Sequence, residues 1–296
     1  MLAHVGAPVL EPLQLAPALA AGAMYALRAR TLAARGRPVA RGRQACWYSG
    51  LSLIVLALGS PLAHAADELF LAHMAEHLLI ADLAALLLVL GLTGPMLVPV
   101  LRTPLGRLRG LAHPVPALVL WTVNLVLWHV PAVHELAVRD EAVHALQHLL
   151  LVGFGVNVWM AVLGPLPSPG WFGDLARLVD VLAVRLVATV LANVLLWARE
   201  PFYDVYAPGW RSFGIDGLTD QVVAGSLMMV EGSVLTICVL GWLFLRSARN
   251  GEERQALLDL AVRSGVPLTE QRAGRAAAAG RGDELRRRLE AGSRVD

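Results

Sequence analysis

Residues 73–91 read HMAEHLLIADLAALLLVLG, and residues 144–164 read HALQHLLLVGFGVNVWMAVLG. Each stretch opens on two histidines four residues apart. Each then runs apolar for roughly the 20 residues that cross a hydrocarbon core as a helix. On a helix, the i,i+4 spacing puts both rings of a pair on one face. The apolar runs decide the fold class, and the ring pairs point to the chemistry.

The rest of the chain extends the first reading. Hydrophobic residues make up 56% of the 296 and charged residues 16%, with a mean hydropathy of +0.58. A soluble domain of this length does not need so apolar a composition. Seven stretches are long enough to span: 9–27, 46–62, 72–93, 115–131, 142–163, 177–198 and 220–245. Glu11 and Gln14 interrupt the first. It has neither the basic start nor the small-residue cleavage site of a signal peptide, so it counts as a span. No strand-like alternation competes, and backbone satisfaction in lipid favours helices. The sequence predicts an all-α, seven-helix membrane domain over residues 1–245 and a cytoplasmic, Arg-rich tail over 246–296. No internal repeat is visible.

Charge orients the bundle. All 25 basic residues are arginine. Six lie in 28–43, three in 94–114, one at Arg177 and eleven after Leu245, all on one side of the predicted topology. The other side has Arg139, Arg199 and Arg211, and Arg185 falls within a span. The positive-inside rule then puts the N-terminus outside and the C-terminus in the cytoplasm. The net charge of +2 therefore reflects topology and gives no reason to expect nucleic acid. The partner it implies is the lipid bilayer, with Arg runs against anionic headgroups.

This topology sorts the histidines. The third and fifth spans both run inward, so their first turns share one depth. His73 and His77 then face His144 and His148 if the two helices are neighbours. His129 ends the fourth span at the same surface, and His134 follows after Pro131. His4 and His64 also fall on the outer side, and only His113 is placed inside. Neutral imidazole is the commonest metal ligand, and two pairs at matched depth build a four-nitrogen site. Imidazole suits zinc, copper, iron and nickel alike. Met74, Met228 and Met229 offer thioether sulfur, which favours Cu(I), although gap filling in an apolar core is the commoner use of methionine. Cys46 and Cys238 lie on the wrong side and form no CxxC, so neither a thiolate site nor a disulfide framework is indicated.

Ionisable residues inside spans need partners, because each costs about 2.5–3.5 kcal/mol at a helix centre. Asp82, Asp180, Arg185 and Glu231 are the four. Arg185 is expected to pair with Asp82 or Glu231. Asp220, Ala224, Met228 and Glu231 form one stripe that descends from the histidines into the bundle. Asp82, nine residues past His73, points away from them.

Taken in order, HMAEHLL, WHVPAVHELAV, HALQHLLLVGFGVNVWMAVLG and DQVVAGSLMM resemble the CtaG-type cytochrome c oxidase assembly factors. The likeness covers about residues 47–245 and excludes the tail. It implies a multi-pass protein of the bacterial cell (inner) membrane that delivers copper to a terminal oxidase or matures it. The implied partners are an oxidase subunit and another copper carrier. His73, His77, His129, His134, His144, His148, Asp220 and Gln221 match positions that recur in the family's motifs. The metal site expected on these grounds comprises the six histidines, flanked by Met74, Glu76, Asp220, Gln221, Met228 and Glu231, with no catalytic residue.

The same residues carry two rival readings. His73, Glu76 and His77 satisfy H-x-x-E-H, in which two histidines hold zinc and the glutamate activates water. In the second pair Gln147 stands where that glutamate would be, which fits binding better than hydrolysis. Alternatively, one histidine from each of two helices ligates a b-type haem, with Arg139, Arg199 or Arg211 near its propionates. The tail has no catalytic motif. GEERQALLDLAVRSG and GDELRRRLEAG can form short amphipathic helices, but the tail is rather expected to be partly disordered or to lie on the membrane surface.

Overall fold

The computed structural model describes residues 12–278 and 280–291, which are helical with no strand among them. His4 and the start of the first expected span lie outside the described residues. The helices are α1 (Pro12–Ala34), α2 (Arg41–Gly59), α3 (Pro61–Glu68), α4 (Phe70–Gly91), α5 (Gly94–Leu101), α6 (Pro114–His129), α7 (Pro131–Arg139) and α8 (Glu141–Leu163). They continue with α9 (Asp174–Leu196), α10 (Ala207–Phe213), α11 (Gly217–Ser264), α12 (Glu270–Ala278) and α13 (Gly282–Glu290).

Four of these, α4, α8, α9 and α11, are long and apolar enough to cross a membrane. The number rises to six if two bent pairs each count as one span. The first pair, α2 and α3, bends by 52° at Ser60, whose hydroxyl caps α3 by accepting from the Leu62 N–H. The second, α6 and α7, bends by 74° before Pro131, which brings no N–H to continue a helix. The first expected stretch is helical as α1 but is not among those six.

Two compact units divide the chain between Val234 and Leu235, within α11. In the first unit α4 packs between α2 and α8, and α8 packs in turn on α6. The α4–α8 crossing is close because of one missing side chain. A Cβ at Gly155 on α8 would collide with the Ala81 carbonyl and lie 3.1 Å from the Ala85 Cβ on α4. Small residues permit such backbone approach between membrane helices, where packing rather than hydrophobicity drives association. Ala81 sits in a π-helical turn, Leu79–Ala84, directly below the first histidine pair. Turns of this kind recur at functional sites.

The far end of α4 is tied down by the Arg-rich segment. Arg43 Nη1 donates to the Leu90 and Leu92 carbonyls at 3.0 and 2.7 Å, and Arg28 Nη2 to the Pro95 carbonyl at 2.7 Å. The Tyr25 hydroxyl donates to the Gly91 carbonyl at 3.1 Å. These donors satisfy the unpaired carbonyls of a helix C-terminus, where positive charge is favourable.

Arg185 departs from the expected ion pair. Its guanidinium donates to the Met229 carbonyl at 2.9 Å, the Ser233 hydroxyl at 2.8 Å and the Met228 carbonyl at 3.5 Å. Among the described residues no carboxylate lies within ion-pair distance of it. Gly232 is the reason, because a Cβ there would collide with Nη1. The bare helix surface exposes carbonyls that serve the guanidinium as acceptors.

The tail forms helices over both expected segments, the first as the end of α11 and the second as α13. In the second unit, Leu257 and Ala261 of α11 meet Val266, Ala273 of α12, and Leu285 and Leu289 of α13 in an apolar cluster. Leu257 and Leu289 are fully buried. This core orders the tail, although its composition reads as disorder-prone. The leucines recur at helical spacing on α13 and find a partner face on α11.

Candidate metal centre

The four paired histidines meet where α4 and α8 begin. On α4 the rings of His73 and His77 are 4.1 Å apart between centroids, and on α8 those of His144 and His148 are 4.2 Å apart. Across the crossing His73 stacks on His144 at 5.2 Å, and His77 meets His148 edge to face at 5.3 Å. Asp140 starts α8 by accepting from the Ala142 and Val143 N–H groups, which fixes the turn that carries His144.

Burial separates these rings from interfacial histidines. His73 is 0% exposed, and neither of its ring nitrogens has a hydrogen-bond partner. His77 Nε2 and His144 Nε2 are likewise buried without one. Leaving a buried polar group unpaired costs about 1–3 kcal/mol, so an orphan nitrogen asks for an explanation. Ligand atoms of His73, His77 and His144 all lie within 4.8 Å of one another, which suits a shared cation. His148 is outside that group. It sits 3.3 Å from the Glu76 carboxylate, both side chains being almost fully buried. The arrangement is therefore three imidazoles grouped within 4.8 Å, with His148 beside them against Glu76.

The family model for the cytochrome c oxidase caa3 assembly factor, Caa3_CtaG, matches residues 23–250. The chain belongs to that family. No curated protein and no solved structure matches it.

The remaining expected residues of this assembly factor fall into distinct places. His134 approaches His73 at 4.8 Å between centroids, but both its nitrogens are engaged. Nδ1 faces the Trp128 carbonyl at 3.3 Å, and Nε2 accepts from the Tyr206 hydroxyl at 2.9 Å. Burial holds the Tyr206 hydroxyl well above the usual phenol range, with Asp220 adding to the effect, so the phenol keeps its proton and donates. His129 Nδ1 donates to the Leu125 carbonyl at 2.8 Å, and its Nε2 is buried without a partner. Met74 and Met228 pack in an apolar cluster with Phe70, Ala192, Leu195 and Ala224. The Met229 sulfur lies 3.7 Å from the Arg185 guanidinium. Glu231 Oε1 is buried without a hydrogen-bond partner.

Asp220 and Gln221 act as fasteners in the assembly factor. The Asp220 carboxylate accepts from the Phe70 and Leu71 N–H groups, each at 2.9 Å, and from the Trp210 indole at 3.0 Å. It caps α4 from 150 residues away, just ahead of His73. Gln221 accepts from the Phe202 N–H at 2.7 Å and donates to the Leu195 carbonyl at 3.2 Å. Together they hold the segment 197–216 over the histidine end. From that segment Tyr206 reaches His134, and Tyr203 donates to the His129 carbonyl at 3.0 Å. Sequence reasoning missed the contact of these aromatics with the histidines. Tyr203 and Tyr206, bracketed by Pro201 and Pro208 in one loop, were the available signal.

Proposed function

We propose that this assembly factor binds a copper ion as cargo between His73, His77 and His144 and passes it to a terminal oxidase, with no catalytic step of its own. The observation that carries the reading is the set of buried, unpartnered imidazole nitrogens converging within 4.8 Å. Neutral imidazoles suit copper and zinc equally. Copper is preferred because the family's client is an oxidase and the resemblance implies copper delivery. Glu76 orients His148 beside the site, as carboxylates commonly orient histidines around metals. His148 is then placed to replace a departing ligand.

The two rival chemistries fit less well. A metalloprotease needs Glu76 free to activate water, whereas Glu76 is engaged with His148. A haem needs a flat slot between two axial imidazoles, whereas these rings touch one another. Metal analysis with a visible spectrum on purified protein separates the readings: copper without a Soret band is expected. Replacing His77 and His148 together by alanine is expected to lower bound copper and host oxidase activity. Glu76→Gln keeps an acceptor for His148, so copper affinity should fall by no more than about tenfold. Copper binding that survives the double change would sink the site. Activity lost in Glu76→Gln with metal content unchanged would favour an enzyme.

The same proposal includes the setting: seven spans, with α1 as the first, in a bacterial inner membrane, N-terminus outside. The arginine distribution supports it. Reporter fusions at Gly36 and Gly251 should both read cytoplasmic and a fusion in 203–215 external. An external signal at Gly36 would place the histidines on the wrong face for an outer copper source.

A further inference from the structure

The second unit contains a concavity of about 290 Å³ lined by Arg272, Arg275, Arg281, Glu284 and Arg288, with Ala276 and Leu285 among its walls. The helical repeat builds it. Arg272 and Arg275 share a face of α12 at i,i+3, while Leu285 and Arg288 follow Arg281 at i+4 and i+7 along one face of α13. The buried contacts of Ala273, Leu285 and Leu289 fix the two helices against α11. The fold thus gathers four guanidinium groups from both sides of the turn between α12 and α13 into one hollow.

Among the described residues lining the hollow, Glu284 is the one carboxylate. Glu284 lies 2.6 Å from Arg288 and is committed to it. The guanidinium groups of Arg275 and Arg281 have no hydrogen bond or ion pair among the described residues. Two such guanidinium groups facing one hollow repel each other, and the potential there concentrates anions. A carboxylate accepts its donors within about one plane. A tetrahedral phosphate takes them from several directions, and forked guanidinium donors match its oxygens in pairs.

We propose that this hollow is a phosphate-binding site for a phosphate ester or free phosphate, with Arg275 and Arg281 as its principal donors. Ala276 and Leu285 supply an apolar wall beside the anion, which suits the glycerol backbone of a phospholipid headgroup. The site is separate from the histidine centre and does not depend on the metal reading.

Titration of the purified full-length protein in neutral detergent tests it. The probes are dioctanoyl phosphatidylglycerol, inorganic phosphate and dioctanoylglycerol, which lacks the phosphate. Phosphatidylglycerol should bind wild type and the Arg249→Ala/Arg263→Ala control alike, and Arg275→Ala/Arg281→Ala at least about tenfold more weakly. Both pairs remove the same charge, and all four side chains are exposed, so folding is not at stake. Arg275→Lys/Arg281→Lys should fall between, since lysine keeps the charge and loses the fork. Inorganic phosphate binding with the same variant dependence would identify free phosphate as the ligand. Lipid binding without phosphate binding would identify a headgroup. Equal weakening in the control pair, equal binding of dioctanoylglycerol, or no binding of either phosphate probe would overturn the proposal.

Discussion

Replacing His73 by leucine is expected to abolish copper loading while leaving the metal-free protein as stable as before, or slightly more so. The two halves of this result have one cause. His73 is fully buried, and neither ring nitrogen has a hydrogen-bond partner. In the metal-free state the imidazole therefore contributes bulk and a desolvation cost of about 1–3 kcal/mol for each unpaired group. Leucine is of similar size and has no polar atom to desolvate. A gain near 1 kcal/mol corresponds to roughly 2–4 °C in a thermal midpoint for a chain of this class. Copper should raise the wild-type midpoint, since a ligand at about 100 times its Kd stabilises by about 2.7 kcal/mol. The variant should show no copper-dependent shift. Losing one of three direct ligands should weaken binding by more than the ~10–100-fold seen when only an outer partner is removed. Thermal melts with and without copper, together with metal content, read both effects. A variant that melts lower without metal and still loads copper would mean that His73 serves the fold alone.

Much of this was legible in the chain. Histidines four apart at the head of two apolar runs give the ring pairs, and helical geometry does the rest. The crossing that brings the pairs together depends on Gly155, which reads in sequence as one glycine among several in a membrane helix. Its meaning lies in the Ala81 carbonyl it faces, on another span. Arg185 shows the same limit from the electrostatic side. Partner arithmetic pointed to a carboxylate because helix carbonyls are normally occupied, and only the bare surface at Gly232 makes them accessible. His134 looked as good a ligand as any until Tyr206, 72 residues away, was seen to engage it. Pattern reveals which residues share a helix face. It does not reveal which partner from elsewhere reaches a given atom first.

Asp220→Ala should give the opposite signature to His73→Leu: a large loss of stability that is present without any metal. Asp220 is 2% exposed and accepts three N–H donors, two of them from the first turn of α4. A carboxylate there also sits against the positive end of the helix. Alanine would strand the Phe70, Leu71 and Trp210 donors in a nearly dry interior. Removing one side of such a buried, charge-assisted network typically costs about 3–5 kcal/mol. Much of the chain should then fail to accumulate in the membrane. The Asp220→Asn change leaves a single amide oxygen and turns an NH₂ group towards a backbone N–H, so rescue should be small. Fraying would begin one turn ahead of His73, whose own N–H bonds to the Leu69 carbonyl at 3.0 Å. Copper affinity should therefore fall as a consequence of lost order, and amide exchange at Phe70 and Leu71 should rise in step with it. If Asp220→Ala lowered copper binding while the metal-free midpoint and those amides stayed as in wild type, Asp220 would be a ligand rather than a cap. The site would then extend beyond the three imidazoles.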